Sequence, residues 1–146
     1  MSIPRPQPDG REAYSHFTPL ATRWEDNDVY GHLNNVVYYS LFDTAVNRYL
    51  IEAGALDIHK GQTIGLVVET PCNYFASIEF PQMVEAGIRV AHIGGSSVRY
   101  EIGIFAAGAP LVAARGHFIH VYVDKDTRRP VPLPEALSRA LTSLKV

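Results

Sequence analysis

Apolar and polar positions change period along this chain, and each change marks an element. From His16 to Trp24 the alternation is that of a strand, and Pro19 confines it to a sheet edge or an irregular start because proline offers no N–H to a neighbour. Leu33, Val37, Leu41, Thr44, Ala45 and Arg48 then recur at helical spacing. Val36, Tyr39, Val46 and Leu50 occupy another side, with Tyr38, Phe42 and Tyr49 between them. A helix apolar around most of its circumference is predicted to lie inside the fold, wrapped by the rest. Gly54 is its stop, being the residue that takes a left-handed cap at least cost.

Beyond Gly61 the period becomes that of strands. Leu66 to Phe80, interrupted by Pro71 and closed by Pro81, reads as one strand with a bulge. Val84, Ala86, Ile88 and Val90 alternate with Glu85, Gly87 and Arg89; after a Gly94-Gly95 turn, Val98, Tyr100, Ile102 and Ile104 alternate in the returning strand. A second hairpin turns at Ala107 to Pro110, and Leu111 to Val123, largely apolar on both faces, belongs centrally in the sheet. Pro134 stands at a first helical position ahead of Leu137, Leu141 and Leu144. Strands segregated from one long helix predict an α+β fold, an antiparallel sheet of about five strands curled around that helix, with a short C-terminal helix. Such a sheet leaves an edge and a face to cover, and dimerisation is a natural remedy.

Composition narrows the function. A chain of 146 residues, 47% hydrophobic, suits a single domain over residues 1–146, with the proline- and arginine-containing stretch 1–12 as a loose arm. A formal net charge of -2 and one small basic cluster, Lys125, Arg128 and Arg129, argue against nucleic acid as a partner. No signal-like or membrane-spanning apolar run is present, so the expected setting is the cytoplasm. Cys72 is the lone cysteine and reads as a buried filler.

The chemistry concentrates in Arg23-Trp24-Glu25-Asp26-Asn27-Asp28-Val29-Tyr30-Gly31-His32-Leu33-Asn34-Asn35, where carboxylates, a histidine and amides crowd the mouth of the apolar helix. A carboxylate there meets the positive end of the helix dipole in reduced dielectric. Taken singly, Asp28 also suits a helix cap or turn residue, and Glu25 and Asp26 suit the solvated side of the turn. His117 and His120, three apart in a strand, point to opposite faces and are not a metal pair.

The element order, together with Asp28-Val29-Tyr30-Gly31-His32-Leu33-Asn34-Asn35-Val36-Val37-Tyr38-Tyr39 and the ending Val121-Tyr122-Val123-Asp124 through Arg129-Pro130-Val131-Pro132-Leu133-Pro134, resembles the hotdog-fold acyl-CoA thioesterases of the 4-hydroxybenzoyl-CoA thioesterase type. That resemblance implies hydrolysis of an acyl thioester without metal or cofactor, in a homodimer with interfacial active sites or a homotetramer made as a dimer of dimers. It implies Asp28 as general base or nucleophile, the Asn35 N–H as oxyanion donor, and Gly31 as a residue that lets backbone approach substrate. His32, Asn34 and Tyr38 fall among the substrate-binding positions. Where the namesake of the family carries basic residues for the CoA phosphates, this chain has Gly94-Gly95-Ser96-Ser97. Main-chain N–H groups, Ser96, Ser97, and charge from Arg99 or the Lys125 to Arg129 cluster are the expected substitutes, and an acyl carrier protein is an alternative partner to CoA. Two other readings stay open at this point: a non-catalytic hotdog dimer that binds an acyl thioester, and a hotdog enoyl-thioester hydratase or dehydratase with His32 moving protons.

Overall fold

The computed structural model describes residues 4–146. In chain order the elements are β1 (His16–Leu20), α1 (Val37–Glu52), β2 (Thr63–Glu69), β3 (Cys72–Tyr74), β4 (Val84–Ile93), β5 (Ser97–Ala106), β6 (Ala114–Asp124) and α2 (Glu135–Thr142), with short 3-10 turns at Arg11–Ala13 and Trp24–Asp26. Six strands form one antiparallel sheet in the order β1-β4-β5-β6-β2, and β3 also pairs with β6. This is the hotdog arrangement, with α1 in the concave face of the sheet.

Alternation fixes which face is concave. Ala86, Ile88 and Val90 of β4 stand opposite Ile104, Ile102 and Tyr100 of β5, and all six are fully buried. Against them α1 lays Tyr38, Leu41, Phe42, Ala45, Val46 and Leu50. Phe42 comes closest to the sheet because Gly116 on β6 has no side chain; a Cβ there would collide with the Phe42 ring and with the Pro71 carbonyl. The helix is not wrapped on all sides, as its composition suggested. Ser40, Asp43, Thr44, Arg48, Ile51 and Glu52 are exposed, because one chain supplies one sheet and a sheet covers one face of a helix.

Element boundaries differ from the sequence reading in several places: β6 begins at Ala114, not Leu111, Pro134 caps α2 from outside its first turn, and four further differences have a local reason. Helix α1 starts at Val37, not near Leu33, because the Asn34 side chain accepts the Val36 N–H at 3.1 Å and the Asn34 carbonyl accepts the Val37 N–H at 2.9 Å, making a turn first. The span 66–80 holds two strands and a loop: Pro71 separates β2 from β3, and a register shift lies between Val67 and Glu69. The first strand ends at Leu20, with Pro19 tolerated because β1 is an edge. Last, the arm expected over residues 1–12 is pinned from Asp9 onward, where the carboxylate meets Arg115 at 2.9 Å and the Tyr14 hydroxyl at 3.0 Å. Residues 1–3 of that arm lie outside the described residues. Gly54 does end α1, at φ +73°, and β6 is interior, between β5 and β2. No described helix is long and apolar enough to cross a membrane.

On the convex face, Gly87 and Gly103 are directly opposite each other, and the Tyr14 ring lies across both. A Cβ on Gly103 would sit 2.5 Å from Tyr14 Cζ and 2.7 Å from Val112 Cγ1, and one on Gly87 would sit 2.7 Å from Tyr14 Cγ. Tyr14, Phe105 and Val112 form a second apolar cluster there. Gly103→Ala must therefore displace Tyr14 and is expected to cost about 1–3 kcal/mol, read as a lower denaturant midpoint at unchanged m-value; a midpoint equal to wild type would show that the ring does not rest on the glycine pair.

Candidate active site

The loop between β1 and α1 is built around Asp26. Its carboxylate accepts the Arg23 N–H at 2.7 Å and the Arg23 guanidinium at 2.8 and 3.1 Å, while its carbonyl accepts the Asn34 N–H at 2.9 Å. Asp26 is 3% exposed, which corrects its placement on the solvated side of the turn: an aspartate that closes a ring of charge-assisted bonds is held inside. Glu25 does lie outward, exposed and paired to Arg23 at 3.1 Å.

Past this clamp the chain folds back on itself. Asn27 bridges to Leu33, the Asp28 N–H donates to the His32 carbonyl at 2.9 Å, and the Gly31 N–H donates to the Asp28 carbonyl at 3.1 Å. Gly31 takes φ +86°, which the turn demands, and a Cβ there would meet nothing within 4 Å, so the space outside it is open. One Asp28 oxygen accepts the Tyr30 N–H at 2.8 Å; the other is 3.7 Å from His32 Nδ1, beyond a hydrogen bond. The His32 ring also sits 3.3 Å from the Leu33 carbonyl.

Two residues that spacing alone did not single out for this loop hold it to the segment before β4. The Asn27 side-chain oxygen accepts the Phe80 N–H at 3.0 Å, and the Leu33 N–H donates to the Ile78 carbonyl at 2.7 Å. Tyr74 on β3 donates its hydroxyl to the Asn35 carbonyl at 2.8 Å and meets Tyr38 edge-on, ring centres 5.2 Å apart. Tyr74 lies 39 positions from Asn35 in the chain, and no sequence signal ties them. The Asn35 carbonyl is thus engaged, and among the described residues its N–H has no acceptor. Tyr38 is buried under Tyr74, and burial pushes its hydroxyl up to about 12. Burial likewise raises the Cys72 thiol to about 11, consistent with an inert filler.

Asp28, Gly31, His32, Asn34 and Asn35 therefore share one hairpin loop. Ser96, Ser97 and Arg99 do not join them within a chain. Ser97 is level with Val121 on β6 and Tyr74 with Ala114, so at about 3.3 Å per residue the two groups are roughly 23 Å apart along the strand. Arg99 also faces the convex side, bonded to Glu101 at 3.0 Å and 3.2 Å from His117. The Gly94–Ser97 turn does lie at the end of the sheet that carries Lys125 to Arg129, since the Leu133 N–H reaches back to the Gly95 carbonyl at 3.2 Å. His117 and His120 are on opposite faces, His117 bonded to Glu69 at 2.6 Å and His120 stacked on Phe118 in the core.

A sheet cupping one long helix, with an acidic and amide-rich loop at the helix N-terminus, defines a hotdog protein of the thioesterase kind. The model of the Thioesterase-like superfamily matches residues 22–141, and the chain belongs to that family. Among solved structures, the PA5185 protein of Pseudomonas aeruginosa superposes with a TM-score of 0.93 at 53% identity, covering 95% of this chain and 97% of that one. A 1,4-dihydroxy-2-naphthoyl-CoA thioesterase from Synechocystis, Slr0204, is similar in fold, with a TM-score of 0.79 at 17% identity over 88% of this chain and 96% of its own. The Bacillus subtilis protein YsmA is 23% identical over 130 residues, 88% of this chain and 86% of YsmA.

His120 makes the acid behaviour of the fold predictable. Burial depresses its imidazole from the ordinary 6.5 to about 4. Between those values the unfolded chain takes up a proton that the folded chain refuses, so the contribution is intact above pH 6.5 and is lost as pH falls toward 4. His120→Phe should reduce the drop in Tm between pH 7 and pH 4.5, and parallel Tm profiles for variant and wild type would remove His120 as its source.

Proposed function

We propose that the protein is a thioesterase that hydrolyses an acyl-CoA to the free acid and CoA, acting as a homodimer or a dimer of dimers. The observation that carries this reading is the pairing, on one hairpin loop at the mouth of α1, of a carboxylate with a free oxygen and a main-chain N–H without an acceptor. The Asn35 N–H polarises the thioester carbonyl and takes the developing oxyanion, helped by the positive end of α1; such a donor is worth on the order of 3 kcal/mol. Asp28 then serves in one of two ways. As a base it takes a proton from water while the water oxygen bonds to the carbonyl carbon; collapse breaks the C–S bond and the departing thiolate takes that proton. As a nucleophile its free oxygen forms an acyl anhydride with loss of the thiolate, and water then opens the anhydride. Gly31 keeps the approach clear, Asn34 shapes the helix start, and His32 and Tyr38 border the substrate from the loop and the helix.

A second chain supplies what one chain lacks. Strand β2 ends the sheet with Leu66, Val67 and Val68 exposed on an unpaired edge, and Val29, Tyr30 and Val36 stand exposed around the loop. Pairing two β2 edges continues the sheet across a two-fold axis and brings another chain against the exposed face of α1. Ser96, Ser97, Arg99 and the Lys125 to Arg129 cluster, remote from Asp28 within their own chain, are then available to the thiol carrier, whether CoA or acyl carrier protein.

Asp28→Asn should retain fold and assembly while lowering kcat about 10²–10⁴-fold across a panel of acyl-CoA and acyl carrier protein thioesters followed by thiol release. Near-normal turnover by that variant would take Asp28 out of the mechanism, whereas binding without turnover by the wild type would make the protein an acyl-thioester binder. Val68→Lys, placing a charge on the β2 edge, should shift sedimentation toward the monomer and lower kcat in parallel; full activity in a monomer would refute the two-chain site.

A further inference from the structure

The backbone around Asn35 is held by hydrogen bonds where packing does little. Leu33 before it and Tyr38 after it are buried, but Asn35 and Val36 are exposed and Asn34 is half-buried, so no core locks the segment that carries the proposed oxyanion donor. Exposed, sparsely packed stretches of this kind open most easily. Two peptide planes meet at the Asn35 Cα. In the first, between Asn34 and Asn35, the Asn34 carbonyl accepts the Val37 N–H at 2.9 Å, and in a trans peptide the Asn35 N–H then points the opposite way, out of the turn. In the second, between Asn35 and Val36, the Val36 N–H donates to the Asn34 side chain at 3.1 Å and the Asn35 carbonyl accepts the Tyr74 hydroxyl at 2.8 Å.

These three bonds are not equivalent. Two of them join atoms within residues 34–37, so they keep the internal shape of the turn and would swing with it as a unit. Past Asn34, whose N–H is held by the Asp26 carbonyl of the same loop, the bond from Tyr74 is, among the described residues, the one hydrogen bond that reaches the Asn35–Val36 peptide from another element. It ties the direction of that peptide, and of the N–H beside it, to the sheet. The hydroxyl is delivered from a firm frame: Tyr74 is paired opposite Ala114 on β6, the next N–H, that of Phe75, donates to the Ala113 carbonyl at 2.7 Å, and the Tyr74 ring meets the buried Tyr38 edge-on. Desolvation and the neighbouring Cys72 hold its phenol above the ordinary 10, so it keeps the proton it donates. That proton is spent on the Asn35 carbonyl, which makes Tyr74 a support of the oxyanion donor and not a second donor.

We infer that Tyr74 is a positioning residue for the reaction: its hydroxyl, reaching from β3 to the Asn35 carbonyl, aims the Asn35 N–H at the place where the oxyanion forms. Because this role rests on the thioesterase reading, its test carries a readout independent of turnover. Tyr74→Phe removes the hydroxyl and keeps the ring against Tyr38. With the best substrate of an acyl-CoA panel, kcat should fall about tenfold to a hundredfold while KM stays within about twofold of wild type, since the donor that Tyr74 aims acts in the transition state. A smaller fall in kcat, or a rise in KM that accounts for the loss in kcat/KM, overturns the inference. Tyr74→3-fluorotyrosine keeps the hydroxyl and should hold kcat within about threefold of wild type; a loss equal to that of Tyr74→Phe would also overturn it. Without turnover, the ¹⁵N order parameter of the Asn35 amide should be about 0.85 in wild type and fall below about 0.6 in Tyr74→Phe, while that of Leu33, bonded to Ile78, keeps its wild-type value. An unchanged Asn35 order parameter overturns the inference even where kcat falls, because the loss then has another origin. Should the wild type release no thiol from any member of the panel, the thioesterase reading fails by itself, and the order parameters alone decide whether Tyr74 aims this N–H.

Discussion

Phe42 packed on Gly116 is the contact from which the rest of the architecture follows. The antiparallel sheet can curl around α1 only if the helix comes close to its central strands, and it does so where β6 offers bare backbone to the Phe42 ring on the buried stripe. Close approach there buries Ala45, Val46 and Leu50 against β4 and β5 and leaves the opposite side of α1 uncovered. It also sets where α1 begins relative to the sheet, and hence where the loop with Asp28 and Asn35 emerges. The packing of the helix and the location of the chemistry are one constraint.

Polar interactions then do the positioning that apolar contacts cannot. Asp26 is the clearest case: a buried carboxylate whose oxygens hold Arg23 and whose carbonyl holds the Asn34 N–H, so that the loop has one shape instead of many. Asn27 and Leu33 fasten the same loop to the segment before β4. A second polar network spreads over the convex face, where burial works to raise the Asp9 carboxyl but Arg115, Tyr14 and Arg89 outweigh it and hold it below the usual range. The first network bears on the proposed reaction; the second ties the N-terminal stretch to the sheet.

Much of this was readable in the chain. Regular alternation over Val84 to Ile104 determines a strand pair because a period of two has no helical rival of that length, and the structure pairs those strands antiparallel with one register shift between Val90 and His92. Gly54, Pro19 and the Gly94-Gly95 turn were legible because glycine and proline act locally, through their own dihedral angles. Boundaries that depend on partners were not: Asn34 delays the helix through its side chain, and Pro71 divides β2 from β3 where both must lie along β6. Asp26 looked like a surface acid because nothing in its type distinguishes a solvated carboxylate from one enclosed by a neighbouring guanidinium.

By itself the sequence determined the element types, an α+β class with a sheet curled around one helix, and the loop on which a carboxylate, a glycine, a histidine and two asparagines are gathered, since all of these rest on periodicity and on residues close in the chain; the hotdog family was implied by the resemblance of its motif residues. Only the tertiary structure decided which of those groups face outward with bonds unspent, that Tyr74 ties Asn35 to β3, that Ser96 to Arg99 lie at the far end of the sheet, and that His120 is buried in the core. Those relations join residues tens of positions apart, and burial and hydrogen-bond completion exist only once the sheet has closed over the helix.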